Sequence, residues 1–109
     1  MNTTALITGA TSGIGKATAI LFAKKGIRLV LCGRKTAVLS EIQKELETFT
    51  EVVTLTFDVR DKENVQTSLE KLPNQFQKID ILINNAGNAH GLDSIQDGNL
   101  DDWDAMIDI

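Results

Sequence analysis

Tyrosine is missing from this sequence altogether, and cysteine, proline and histidine each occur once. The lone cysteine, Cys32, has no intramolecular disulfide partner, which suits a reducing, cytoplasmic setting. His90 has no second histidine and no cysteine nearby, so neither a metal site nor a catalytic imidazole is assigned. Basic runs are missing too: Lys24-Lys25 and Arg34-Lys35 are only pairs, and the net charge is −4 with a pI near 4.8. That balance speaks against non-specific binding to nucleic acid or a membrane surface. No apolar run approaches the ~20 residues of a membrane span. Met1 leads almost directly into Ala5-Leu-Ile, without the basic segment and long apolar stretch of a signal peptide. The Asn2-Thr3-Thr4 sequon is therefore read as ordinary sequence, not as a glycosylation site.

What is present describes a globular domain spanning 1–109, with 42% hydrophobic and 24% charged residues. Two periodicities alternate along it. Short apolar runs at Ala5–Ile7, Ile27–Cys32, Val52–Phe57 and Ile79–Ile83 read as strands, and Cys32 falls among them as inert core. Between them Ile14, Ala17, Leu21 and Phe22 form one helical stripe, closed by Gly26 after Lys24-Lys25. Val38, Leu39, Ile42 and Leu46 form a second stripe, with Thr36 as N-cap. Val65, Leu69 and Leu72 form a third, opened by Asp61 and stopped by Pro73. A fourth helix is predicted from about Asn99, with Trp103, Met106 and Ile107 on one packing face and Asp101 and Asp102 at its positive end.

Alternation of strand and helix predicts an α/β fold, a Rossmann-type doubly wound parallel sheet with strand order 3-2-1-4. In that order Ile79–Ile83 is a bare apolar edge, which native proteins cover. Together with a fourth helix ending mid-pattern at Ile109, this predicts that the chain is the first half of a longer domain. The acidic residues Asp93, Asp97, Asp101, Asp102 and Asp104 do not follow a calcium-loop order and read as caps and solvated surface.

The chemistry concentrates at strand ends. TGATSGIG, Thr8 to Gly15, joins the first strand to the first helix, with glycines at 9, 13 and 15. Gly9 permits a tight turn, and the middle of the loop, Ala10, Thr11 and Ser12, offers backbone amides. Gly13 and Gly15 let a diphosphate and the sheet come close. A turn without a ligand is the alternative; the strand–loop–helix context favours the phosphate cradle. Arg34 and Lys35 follow the second strand, Arg34 nineteen residues after Gly15, where such folds read the adenosine ribose. An arginine there suits a 2′-phosphate and favours NADP over NAD. After the third strand, Asp58 either accepts from an adenine amino group or caps the next turn, and the residues leave both open. Asn84-Asn85-Ala86-Gly87 closes the fourth strand on the same edge, where small and amide residues let a nucleoside lie close.

In this order and spacing, TGATSGIG, an Asp after the third strand and NNAG after the fourth resemble the short-chain dehydrogenase/reductase family over the whole chain. CGRK, FDVRD, IDILINNAGNAHGLD and DDWDAMIDI are similar to its NADP-dependent 3-hydroxy acid, or serine-type, branch. The resemblance implies that Gly9 to Ile14 surround the NADP phosphates and that Arg34 and Lys35 meet the 2′-phosphate. It further implies that Asp58 and Val59 meet the adenine, and that Asn85, Ala86 and Gly87 line the adenosine ribose. Family chemistry uses a Tyr-x-x-x-Lys pair and a serine, the tyrosine acting as general acid/base beside the lysine. This chain holds no tyrosine, so no catalytic residue is assigned within it.

Two functions follow as expectations. The first is the NADP-binding half of an oxidoreductase that moves a hydride to or from a hydroxyl or carbonyl carbon of a small substrate such as a 3-hydroxy acid. The 109-residue stretch alone is then inactive and a weak NADP binder, and the intact protein is a homo-oligomer, a dimer or tetramer. The second is a non-catalytic dinucleotide-binding or regulatory module.

Overall fold

The computed structural model describes residues 3–58 and 60–85, together with the backbone of 105–108. The elements run β1 (Thr4–Thr8), α1 (Gly13–Lys24), β2 (Arg28–Gly33), α2 (Thr36–Leu46), β3 (Val52–Thr56), α3 (Lys62–Glu70), a 3-10 turn (Asn74–Phe76), β4 (Ile81–Asn84) and β5 (Ala105–Asp108). All pair in parallel in the order β3-β2-β1-β4-β5. The predicted 3-2-1-4 arrangement is therefore present, with one further strand beside it.

Side-chain alternation in these strands divides the core between two faces. Ala5, Ile7, Leu29 and Leu31 pack under α1 and α2, against Ala19, Ala23, Leu39, Ile42 and Leu46. Leu6, Val30, Cys32 and Leu82 point the other way, onto Val65, Leu72, Phe76 and Ile79. Both faces being covered, the strands read as near-continuous apolar runs, as parallel strands do.

Three local expectations are corrected. The first concerns α1, which buries Gly15, Ala19 and Ala23, whereas Ile14 is 57% and Leu21 53% exposed. Small side chains let the helix axis approach the sheet closely, so the packing face is chosen by clearance, and only Phe22 of the predicted stripe leans on the core. The second concerns Thr36, which lies inside α2 and does not cap it; Lys35 holds the N-cap position without a side-chain bond. The Thr36 hydroxyl is engaged instead with that of Thr56, 3.1 Å away. In contrast, Asp61 caps α3 as predicted, accepting from the Asn64 amide, and Gly26 ends α1 at φ 78°.

The third correction is at the chain's last described segment. Ala105–Asp108 is a strand paired with β4, with Ile83 opposite Ile107, where a helix is predicted. Residues 99–104, and Trp103 among them, lie outside the described residues, as does His90. A short apolar run fits either element by periodicity. The unpaired amides and carbonyls along β4's outer edge decide for the strand, and the bare edge predicted at Ile79–Ile83 is covered by it.

Parallel register has one consequence for function. Thr8 lies opposite Asn84, and Gly33 opposite Thr56, so the chain leaves β1 to β4 at one edge of the sheet. Because β2 and β4 lie on opposite sides of β1, a crevice opens there.

The α1 correction is testable by urea denaturation of the chain. Leu21→Gln should leave its stability within about 0.5 kcal/mol of the original. Ala19→Leu should cost about 1–3 kcal/mol by overpacking the helix–sheet seam.

Candidate functional site: a cationic groove at the carboxyl edge of the sheet

A groove of about 630 Å³ occupies that edge, lined by Gly9, Thr11, Ser12, Gly33, Arg34, Lys35, Phe57, Asp58, Arg60 and Asn85. Its floor is the β1–α1 loop. Gly9 adopts φ 61°, a left-handed conformation that a side chain would strain. The turn is closed by Ser12 N donating to Gly9 O at 3.1 Å. The Ser12 hydroxyl donates to the same carbonyl at 2.8 Å and accepts from Gly15 N at 3.2 Å, capping α1.

Gly15 is required by contact. A Cβ there would lie 2.2 Å from the Gly9 carbonyl oxygen and 2.9 Å from Asn85 Nδ2. Asn85 Nδ2 donates to Gly9 O at 3.0 Å and also to Ser12 Oγ. The end of β4 is thereby bonded to the loop after β1. Beneath this knot Thr8 Oγ1 donates to Asn84 Oδ1 at 3.2 Å. Ala10 N donates to Cys32 O at 3.1 Å, tying the loop to β2.

The amides of Gly13 and Ile14, by contrast, have no partner among the described residues. They sit at the positive end of a twelve-residue helix, a natural seat for an anion. Arg34, Lys35 and Arg60 add three cations to the groove wall against one carboxylate, Asp58. Arg34 is 71% exposed and stands 3.9 Å from Asp58 Oδ2, a loose pairing. Arg60 holds Asp58 closely: its Nη2 donates to Oδ2 at 2.8 Å and its Nε to Oδ1 at 3.1 Å. The Arg60 amide adds a bond to Oδ1 at 2.9 Å. These bonds hold the Asp58 carboxyl well below the usual carboxylate range and push the Arg60 guanidinium up. Burial alone pushes the Cys32 thiol up, in keeping with an inert core cysteine.

The groove thus gathers Gly9, Thr11, Ser12, Arg34, Lys35, Asp58 and Asn85 from the predicted set. Ala10 is turned into the core. Gly13 and Ile14 lie exposed at the helix start, and Gly15 is buried under Asn85. Val59, Ala86 and Gly87 lie outside the described residues. Gly33, Phe57 and Arg60 complete the wall without having been singled out; Arg60 stands in the FDVRD stretch, two residues from Asp58, a spacing that already permits a local ion pair. Among the described residues, no three His, Cys, Asp or Glu side chains gather where a metal ion could be held, and no helix is long and apolar enough to cross a membrane.

Gly15→Ala should cost about 1–3 kcal/mol, read from the urea midpoint, because the new methyl meets backbone and not a yielding side chain. Asp58 also makes a pH prediction. Its folded carboxyl titrates below the ordinary 3.8, so its contribution to stability is complete above that value and fades as pH falls through the folded titration. Asp58→Asn should accordingly lower the thermal midpoint at neutral pH, with the difference from the parent chain shrinking in strong acid.

Comparison with known proteins agrees with this architecture. The short chain dehydrogenase family model matches residues 3–109. A sulfoacetaldehyde reductase of Chromohalobacter salexigens is 44% identical over 99% of this chain and 43% of its own length. An NADP-dependent 3-hydroxy acid dehydrogenase of Schizosaccharomyces pombe is 48% identical over 95% of this chain and 41% of its own length. The structure of an alcohol dehydrogenase from Thermococcus sibiricus, complexed with 5-hydroxy-NADP, superposes with a TM-score of 0.72 at 36% identity, over 78% of this chain and 37% of that one. The chain spans less than half the length of these relatives. With the family model matched over nearly the whole chain, and the glycine loop and parallel sheet standing where the motifs predict them, the chain belongs to the short-chain dehydrogenase family.

Proposed function

We propose that this chain is the NADP-binding part of an oxidoreductase that moves a hydride between the nicotinamide and a hydroxyl or carbonyl carbon of a small substrate. The observation that carries this reading is the loosely paired Arg34 guanidinium, which shares one groove with the glycine loop. A planar five-donor cation in that position suits a 2′-phosphate, where an acidic residue would suit a free ribose hydroxyl. Lys35 is a second cation for the same group. The Gly13 and Ile14 amides would receive the diphosphate, and Gly9, Thr11 and Ser12 would follow its backbone-facing side. Asp58 has three of its roughly four acceptor positions occupied by Arg60, leaving one toward an adenine amino group beside Val59. Asn85, with Ala86 and Gly87, would run along the adenosine ribose.

When bound, such a dinucleotide supplies a hydride donor and acceptor. The residues assigned above would bind and orient it, and no proton-transfer role is assigned to any of them. A 3-hydroxy acid is the first choice of substrate, supported by the likeness to the Schizosaccharomyces 3-hydroxy acid dehydrogenase. A small carbonyl compound of another kind is the second, supported by the Chromohalobacter one.

Arg34→Asp tests the cofactor assignment. In the intact protein it should lower the ratio of kcat/KM for NADP over NAD by at least about tenfold, because a charge-assisted pair worth about 1.5–3 kcal/mol is lost and a ribose acceptor gained. An equal loss with both cofactors, accompanied by a lower thermal midpoint, would point to misfolding and not to phosphate recognition.

A further inference from the structure

Arg34 and Arg60 compete for a single atom. Both guanidiniums address Asp58 Oδ2, Arg60 at 2.8 Å and Arg34 at 3.9 Å. Arg60 has the better geometry, because it engages both carboxylate oxygens in a fork while its own amide fixes Oδ1. A carboxylate held this way leaves Arg34 only the loose pairing at 3.9 Å, with its side chain exposed in the groove. Among the described residues Asp58 is the carboxylate within ion-pair distance of Arg34, and without the fork its Oδ2 is open to a closer approach by that exposed side chain.

Resting on the NADP reading above, we propose that Arg60 is a specificity-determining positioning residue. By holding the Asp58 carboxylate, it keeps Arg34 available to the 2′-phosphate of the dinucleotide without touching that phosphate itself. The chain would then set its cofactor preference with two arginines in different roles, one that meets the ligand and one that occupies the competing internal anion. The backbone bond from residue 60 to Asp58 does not depend on the Arg60 side chain, so the turn should survive its removal.

The test is calorimetric titration of the intact protein with adenosine 2′,5′-bisphosphate and with 5′-AMP, since these probes occupy only the adenosine end of the groove. The readout is the ratio of their affinities. Arg60→Ala should lower the preference for the 2′-phosphate roughly threefold, the scale of an exposed ion pair. Adding Asp58→Asn to Arg60→Ala should restore that ratio, even if both nucleotides bind more weakly, because Arg34 then has no internal carboxylate to turn to. An unchanged ratio in Arg60→Ala would overturn the proposal. A double variant as poor as the single one would do the same, since Arg60 would then be contacting the phosphate directly. If the parent chain shows no 2′-phosphate preference, or keeps it in Arg34→Ala, the cofactor reading itself fails and this inference with it.

Discussion

The approach of α1 onto the carbonyl of Gly9 is the contact on which this end of the molecule depends. A Cβ at position 15 would sit 2.2 Å from that oxygen, so the helix reaches its seat only because residue 15 has no side chain. Ala19 and Ala23 continue the close approach along the same face. Once seated, the helix directs the Gly13 and Ile14 amides to the sheet's carboxyl edge. The carbonyl that sets the limit also accepts from Ser12 and Asn85. One oxygen therefore joins the end of β1, the start of α1 and the end of β4.

That knot lies where the sheet changes direction. Successive strands are laid down from β1 outward through β2 and β3, and then on its other side through β4. The loops after β1 and β4 would diverge at such a point without a bond between them. Asn85 supplies the bond, and the crevice on either side of it becomes a fixed groove. Fixed geometry matters for anion binding, because donors that are already aimed lose little entropy on meeting the ligand.

The electrostatics of the groove are arranged on that frame. Its carboxylate is not placed to neutralise the cations evenly: Asp58 is held by the arginine two residues along the chain, and the more distant Arg34 is left loosely paired. A local contact within one turn thereby leaves a long-range partner open. Both arginine side chains are largely exposed, so the pairing contributes to how the charges are distributed more than to how firmly the domain is folded.

Much of this was legible in the residues. The four apolar runs, the Asp61 cap, the Gly26 helix end and the glycine loop depend on short-range chemistry, and each stands where its pattern predicts, within a residue or two. The strand order 3-2-1-4 followed from the handedness of crossovers. Other features depend on partners remote in sequence, and periodicity has no access to them. The large apolar side chains of α1 formed the more conspicuous stripe, but distance to the sheet selected the alanines. Thr36 had the chemistry of a cap, yet Thr56 on β3 lay within reach of its hydroxyl. Residues 105–108 had a helix-compatible pattern, and an open row of hydrogen-bonding groups on β4 drew them into the sheet. Sequence by itself determined the elements from β1 to β4 and the residue types at the groove, because turns, caps and glycine tolerances are local. Only the tertiary structure decided which face of α1 packs, that Asn85 closes the loop after β1, and that Arg60 and not Arg34 holds Asp58, because each is a choice among competing partners that only folding brings together.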